Sequence, residues 1–457
     1  MKWPSSATLV ALGLLNNMAS AIPLDVEDED SVKDAAATVA FDMMSYYTGN
    51  RTGDTPGFLP DPYYWWLAGA MFGTMVDYRQ LTGDRSYDDP VRQALMHQMG
   101  ETNDYNHQNV TSQMGNDDQG FWAMSAMLAA ETLFPDPPED HTQYVPAVQA
   151  VFNEYVMRWE DEGDLCDGGL RWQVYSTGEG WDYKNTISNG CFFNVAARLG
   201  RYTANDTYLE WAERVWDWVE GRDLINENYE IRDGTHIDFD TMTCPGMDRN
   251  QWSYNAGIFL HGAAVMYNST GESIWRERVE GILDNIEEEF FRDGIAFEPI
   301  CEPLCNRDQL SFKGYLLRWM AWTTQLVPGT YDRIHPVLIR QAEAAAATCI
   351  GTADRGIPGT ACGFSWTNSS DTRGGYGVAQ QMNVLAAIIT TLIGNVDPPA
   401  SLENGGTSID DPSGGRRDES PYQPPPITTA DRVGAGFVTA IYCCVAIGFF
   451  TSLSMMK

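Results

Sequence analysis

Three stretches of the chain repeat one order of apolar and polar positions: "MVDYRQLTGDRSYDDPVRQAL" (75–95), "AARLGRYTANDTYLEWAERVW" (196–216) and "AAVMYNSTGESIWRERVEGIL" (263–283). In each, a helical run ends in an aromatic residue, a short polar break follows, and a second amphipathic run begins. Gly, Asn and Thr stop the first helix, and Asp or Ser caps the next. Extended along the chain, the pattern predicts two alternating sets of six helices. Segments near 31–47, 86–100, 140–159, 206–220, 271–290 and 331–348 are amphipathic and charged, and are expected to face solvent on one side. Segments near 63–80, 118–133, 187–201, 252–267, 309–326 and 376–394 are apolar nearly all round, and are expected to be buried. Six helical hairpins closing into a ring make an all-α fold, an (α/α)6 barrel. An open helical solenoid would carry the same repeat.

The connections place the chemistry. Links from a buried helix to the next charged one are short, as in "LTGDR", "FPDPPED" and "TAN". Links in the other direction are long, at 160–186, 221–251 and 349–375, and rich in Gly, Asp, Asn and Trp. All the long loops therefore gather on one face, where the buried helices begin. That face is the expected location of a cleft, because function concentrates on loops held by a rigid scaffold.

The ends of the chain read differently. Residues 1–21 combine one lysine, a short apolar run and an Ala-Ser-Ala ending, the pattern of a secretory signal cut after Ala21. Residues 22–397 form the expected barrel domain, and 398–432 a flexible acidic, proline-rich linker. Val433 to Met456 carries no charge and only Lys457 follows. Small residues (Ser413, Gly414, Gly415), a polar spacer and this tail (433–457) make a GPI-anchor signal, with Asn404 to Gly406 as a competing attachment region. A membrane span is the alternative reading of the tail. Either way the body lies outside the cytosol. The sequons at Asn50, Asn109, Asn205, Asn268 and Asn368 fit that compartment. So do the body cysteines, Cys166, Cys191, Cys244, Cys301, Cys305, Cys349 and Cys362, which are expected to form disulfides with one thiol left over. Cys349 with Cys362 is a plausible local bridge. A net charge of −34 with no basic run in the body argues against nucleic acid as a partner.

Within the expected loop face, residues 115–122 read "GNDDQGFW". Asn116 followed by Gln119 has the form of a capped helix start, and acids in a first turn suit the helix dipole. The same geometry fits glycoside hydrolysis. Retaining enzymes need two carboxyl groups about 5–5.5 Å apart, and neighbouring Cα atoms stand about 3.8 Å apart. Apolar cover from Phe121 and Trp122 would raise one carboxyl, while the helix start keeps the other ionised. Capping and catalysis are compatible. Competing chemistries have no motif here: no H-E-x-x-H, no G-x-S-x-G and no Walker loop. His261 reads as a core residue. Trp65, Trp66, Trp172, Trp181 and Trp252 suit stacking on sugar rings, although each is also an ordinary core residue.

These residues resemble glycoside hydrolase family 76, the endo-α-1,6-mannanases. "NDDQGFW" is similar to the family signature, and "YYWWLAGAMFGTMVDYRQLTGD", "GGLRWQ", "KNTISNG", "WSYNAGIFLHGAAVMY", "DQLSFKGYLLRW" and "GGYGVAQQMNVLAA" follow in order across residues 31–394. The signal peptide and GPI-like tail resemble the fungal cell-wall branch. The resemblance implies an (α/α)6 barrel and a retaining double displacement, with Asp117 as nucleophile and Asp118 as general acid/base. It implies mannose-containing glycans as partners, either the core of GPI anchors or α-1,6-mannan. It further implies transfer of anchored proteins to a β-glucan acceptor. A hydrolytic endo-α-1,6-mannanase and a non-catalytic wall glycan-binding protein are the alternatives. Position on the loop face adds Trp65, Trp122, Trp172, Asn189, Tyr254, Asn255, Asp308 and Lys313 as candidate substrate-binding residues. No metal and no cofactor are implied.

Overall fold

In the computed structural model, which describes residues 22–106, 110 and 114–415, twelve α-helices follow one another in the expected alternation. The outer set is α1 (Glu29–Met44), α3 (Asp88–Gln98), α5 (Tyr144–Asp161), α7 (Asp206–Gly221), α9 (Ser273–Glu289) and α11 (Tyr331–Ala346). The inner set is α2 (Trp65–Thr82), α4 (Asn116–Glu131), α6 (Thr186–Thr203), α8 (Ser253–Thr270), α10 (Phe312–Leu326) and α12 (Val378–Ile389). Each inner helix packs on its inner neighbours, and α12 packs back on α2, so the ring is closed into an (α/α)6 barrel rather than left open.

Burial follows the residue pattern. On α7 only Tyr208, Ala212, Val215, Trp216, Trp218 and Val219 are buried, a single stripe. On α4 every residue except Asp117 and Asp118 is buried. Small residues let the inner helices approach closely. A Cβ on Gly257 would lie 3.0 Å from the Leu316 Cα, and one on Gly314 would lie 3.0 Å from the Asn383 Cα. The breaks in the repeat are the helix ends expected: left-handed Gly83 and Gly271 close α2 and α8. The cap of α7 is Asn205, whose side chain accepts the Thr207 N–H at 3.0 Å.

The long loops carry structure that helical patterning did not announce. β1 (Tyr183–Asn185), β2 (Arg232–Asp238) and β3 (Thr243–Gln251) form an antiparallel sheet in that order, with Lys184 opposite Thr235 and Thr235 opposite Met247. β4 (Phe291–Arg292) and β5 (Ile295–Ala296) make a second, minimal hairpin. Disulfides staple the loops: Cys166–Cys244 ties the 160–186 loop to β3, and Cys301–Cys305 and Cys349–Cys362 close local turns. Cys191 is the thiol left over, and it is buried.

One expectation is corrected. Residues 398–415 do not begin a flexible stalk; they form a strap on the barrel. The Ala400 N–H donates to Glu131 O at 2.7 Å, at the end of α4, and the Leu402 N–H to Tyr202 O at 3.0 Å, near the end of α6. Ser408 is fully buried, and its Oγ accepts the Val145 N–H at 2.9 Å, so it caps α5 from a distance in sequence. Arg201 donates to Pro399 O and Ala400 O, and Asn153 to Pro412 O and Gly414 O. Most of these bonds involve main-chain atoms of the strap, so its polar, Gly- and Pro-rich composition gave no sign of them. The expected signal peptide, the tail beyond Gly415 and Asn109 lie outside the described residues.

Candidate active site

The start of α4 is set by pairing with the loop before α6. Gly115 forms an antiparallel bridge with Gln173, and the Asn116 N–H donates to Trp172 O at 2.8 Å. This extended pairing makes Gly115, not Asn116, the N-cap. The capping box is closed by Asp118, whose Oδ2 accepts the Gly115 N–H at 2.7 Å. Asn116 and Gln119, expected to form the box themselves, are buried inside the turn and bound elsewhere. Gly115 is required for a second reason. A Cβ there would stand 2.3 Å from Asp117 Oδ1 and 3.3 Å from Trp172 Nε1, so any side chain would displace the carboxylate. Asp117 Oδ1 lies 3.5 Å from the Ser188 hydroxyl, at the start of α6.

Both carboxyls are half-buried, and neither forms an ion pair among the described residues. Burial pushes Asp118 up to about 7; the Gly115 N–H opposes this, and the charge of Asp308 adds to it. Burial first, then the charge of Asp118, holds Asp117 well above the usual carboxylate range. Two such groups titrate as a pair, and the pair keeps a proton near neutrality.

Other acids and aromatics surround the pair. Asp308, raised by burial, accepts the Trp66 Nε1–H at 3.2 Å. Trp66 packs against Phe121 at 4.9 Å between ring centres, and Phe121 against Tyr315 at 5.1 Å. Tyr254 is half-buried and stacks on Phe312 at 3.7 Å. Its hydroxyl is raised by burial and then by the charges of Asp233 and Asp117, so it senses both sides of the cleft. Asp233, on β2, accepts the Tyr183 hydroxyl at 2.8 Å and Asn255 Nδ2 at 3.1 Å, and burial pushes it up to about 6. Trp172 is 36% exposed, with Gly180 close against its ring. The arrangement gathers acids and aromatic rings around two carboxyls that form no ion pair among the described residues.

Comparison with known proteins places this architecture. The pattern of glycosyl hydrolase family 76 matches residues 31–403. The chain belongs to glycosyl hydrolase family 76. This family 76 chain is 42% identical over 437 residues to the mannan endo-1,6-alpha-mannosidase DCW1 of Saccharomyces cerevisiae, covering 94% of this chain and 95% of that one. It is 44% identical to Dfg5 from Chaetomium thermophilum, whose crystal structure holds glucosamine; the TM-score is 0.81, over 86% of this chain and 98% of that one. The fold also matches an inactive variant of an α-1,6-mannanase of Salegentibacter sp. HEL1_6, in which two consecutive aspartates are replaced and which is bound to α-1,6-mannotetrose. There the identity is 16% and the TM-score 0.62, over 79% of this chain and 98% of that one.

Not every residue expected on the loop face of this family 76 chain gathers at the pair. Asp117, Asp118, Trp172, Tyr254 and Asp308 come together there. Trp122 does not join them: the side chain has no exposed surface, and it stacks on Trp65 at 5.5 Å and on Tyr105 at 5.9 Å, beneath the pair. Trp65 is likewise core, its Nε1–H donated to Gln98 at 2.7 Å. Asn189 is fully buried and spends its amide on Leu170 N–H, Leu170 O and Asn185 O, so it holds the loop that presents Trp172. Asn255 is buried and supports Asp233. Lys313 is fully buried against Glu302 at 3.1 Å, Phe364 O at 2.6 Å and the rings of Phe364 and Trp366. Inner-helix side chains of this kind point between helices, where loop backbone takes up their hydrogen bonds. His261 is core as expected, beside Asn194 at 3.1 Å. Asp233, Tyr183, Ser188 and Gly115 were missed: Gly115 and Ser188 lie inside motifs read for other residues, and Asp233 and Tyr183 lie on strands that helical patterning did not announce. Among the sequons, Asn50, Asn268 and Asn368 are exposed and Asn205 is half-buried.

Proposed function

We propose that this enzyme breaks α-1,6-mannosidic bonds by a retaining double displacement, with Asp117 as nucleophile and Asp118 as general acid/base. The observation that carries the reading is the pair itself: two adjacent, half-buried carboxyls at a helix start, without a cationic partner and both raised. Below about pH 7 Asp118 holds a proton that it can pass to the glycosidic oxygen. Protonating Asp118 also removes the charge that acts on Asp117. Asp117, beside the Ser188 hydroxyl, then attacks the anomeric carbon as a carboxylate, and the leaving sugar departs with the proton of Asp118. In the second step Asp118 takes a proton from water or from an acceptor hydroxyl, and that oxygen displaces Asp117. Exposed Trp172 provides a stacking face for a sugar ring, and Tyr254, Asp308 and Asp233 provide polar contacts for its hydroxyls.

The donor in this reading is the mannose core of a GPI-anchor glycan, and the acceptor is wall β-glucan. The names of the fungal relatives support the bond, and the glucosamine held by Dfg5 supports a donor that joins mannose to an amino sugar. The secretory signal, the GPI-type tail and glycans on Asn50, Asn109, Asn205, Asn268 and Asn368 belong to the same reading, with the enzyme anchored at the cell surface. Incubation with a mannose-containing anchor glycan and a glucan oligosaccharide tests it. A joined product with retained anomeric configuration is expected. Free reducing sugar alone would leave a hydrolytic endo-α-1,6-mannanase, and no turnover would leave a glycan-binding protein.

A further inference from the structure

We propose that Arg158, on α5, is a positioning residue for the pair, acting through the two side chains that bracket it. Its Nη1 donates to Asn116 Oδ1 at 2.7 Å and to Gln119 Oε1 at 2.6 Å. Asn116 immediately precedes Asp117, and Gln119 immediately follows Asp118. Three apart on a helix, they share one side of the first turn, while the two aspartates occupy the rest of it.

Each bracket has a second anchor. Asn116 Nδ2 donates to Arg171 O at 2.9 Å, and Asn116 O accepts the Tyr155 hydroxyl at 2.5 Å. Gln119 Nε2 donates to Asp104 O at 2.6 Å and to Glu154 at 2.9 Å. Glu154 also holds the guanidinium of Arg158 through Nη2. Asn116 and Gln119 are 2% and 0% exposed, so water does not compete for these bonds. Nη1 thus grips both ends of the turn that carries the chemistry while Glu154 holds Nη2, a set of three contacts that a lysine's single, shorter-reaching ammonium does not reproduce.

The first turn of a helix has the fewest backbone bonds of its own. Here it also carries two carboxyls that repel each other whenever both are ionised. Arg158 opposes the resulting spread from the side away from the substrate. A misplacement of about 1 Å at a reacting group costs on the order of 10²-fold in rate.

The inference rests on the catalytic reading of Asp117 and Asp118, and the test separates the two. Turnover of an α-1,6-mannooligosaccharide is compared in the full chain and in Arg158→Met, Arg158→Lys and Arg79→Met. The last breaks an ion pair to Asp88, 3.0 Å long, between α2 and α3. Arg158→Met is expected to lower kcat about 10²-fold with KM changed by less than about threefold. Arg158→Lys keeps the charge and the partner Glu154 and is expected to lose about tenfold in kcat at nearly unchanged Tm; it carries the test if Arg158→Met does not fold. Dilute guanidinium, below its denaturing range, is expected to restore part of the kcat of Arg158→Met. Arg79→Met is expected to lower Tm alone. Unchanged kcat per folded molecule in both Arg158 variants would overturn the inference while an inactive Asp117→Asn still supported the pair. An active Asp117→Asn would instead overturn the reading beneath it.

Discussion

Two groups of buried acids in this barrel are treated in opposite ways. Toward the strap end, Asp77 is bound by Arg318 and by Trp322 Nε1 at 2.9 Å, and Glu131 is bound by Arg198 at 3.0 and 2.5 Å. At the loop end, Asp117 and Asp118 meet backbone N–H groups, a distant hydroxyl and other acids, and no ion pair among the described residues. The first arrangement neutralises its charges and joins inner helices, α2 to α10 and α4 to α6. The second leaves carboxyls that burial pushes upward, which opposes ionisation and favours proton transfer. Breaking a buried ion pair strands a charge, whereas an unpaired acid that can take a proton is a reagent. The two ends therefore predict opposite responses to the same kind of substitution.

The largest effect is expected at the loop end. Asp117→Asn and Asp118→Asn should each lower kcat on an α-1,6-mannooligosaccharide by about 10³-fold or more, with Tm held or raised. Steady-state kinetics beside thermal unfolding measures both. At the strap end, Arg198→Met leaves Glu131 without its cation and should cost about 3–5 kcal/mol in urea unfolding. Its kcat per folded molecule should stay close to that of the parent.

The third effect is a dependence on pH. The folded-state value for Asp118, about 7, lies above its value in the unfolded chain, so the folded state binds the extra proton. That stabilisation is complete below about pH 4 and is lost as pH rises through about 7. Glu298, pushed up to about 8 by burial, acts in the same direction. The difference in Tm between the parent and Asp118→Asn should therefore shift in favour of the variant between pH 4 and 8. A pH-independent difference would contradict this account of the pair. The smallest effect belongs to the strap: Ser408→Ala removes the cap of α5 and should cost about 1 kcal/mol without changing kcat.

The same contrast explains what could be read without a structure. Alternating charged and apolar segments located every helix; the stretch expected at 206–220, for example, is Asp206–Gly221. Loop lengths identified the face that carries the aspartate pair, because the long links all precede inner-helix starts. The aspartate pair was legible because it interrupts an otherwise apolar inner helix. Asn189, Asn255 and Lys313 look from sequence like Asp308, since polarity on an inner-helix start does not say which way it points. The strap was hidden for a related reason: its main contribution is backbone meeting the ends of α4 and α6, with one serine hydroxyl meeting the start of α5.

The division of labour within the pair is tested most directly by locating the covalent intermediate. An activated α-mannoside would be turned over by Asp118→Asn, quenched, digested and mapped by mass spectrometry. The account predicts a mannosyl group on the peptide at Asp117, and loss of the adduct in Asp117→Asn. A mannosyl group on residue 118 in Asp117→Asn, or a product of inverted configuration from the parent enzyme, would contradict it.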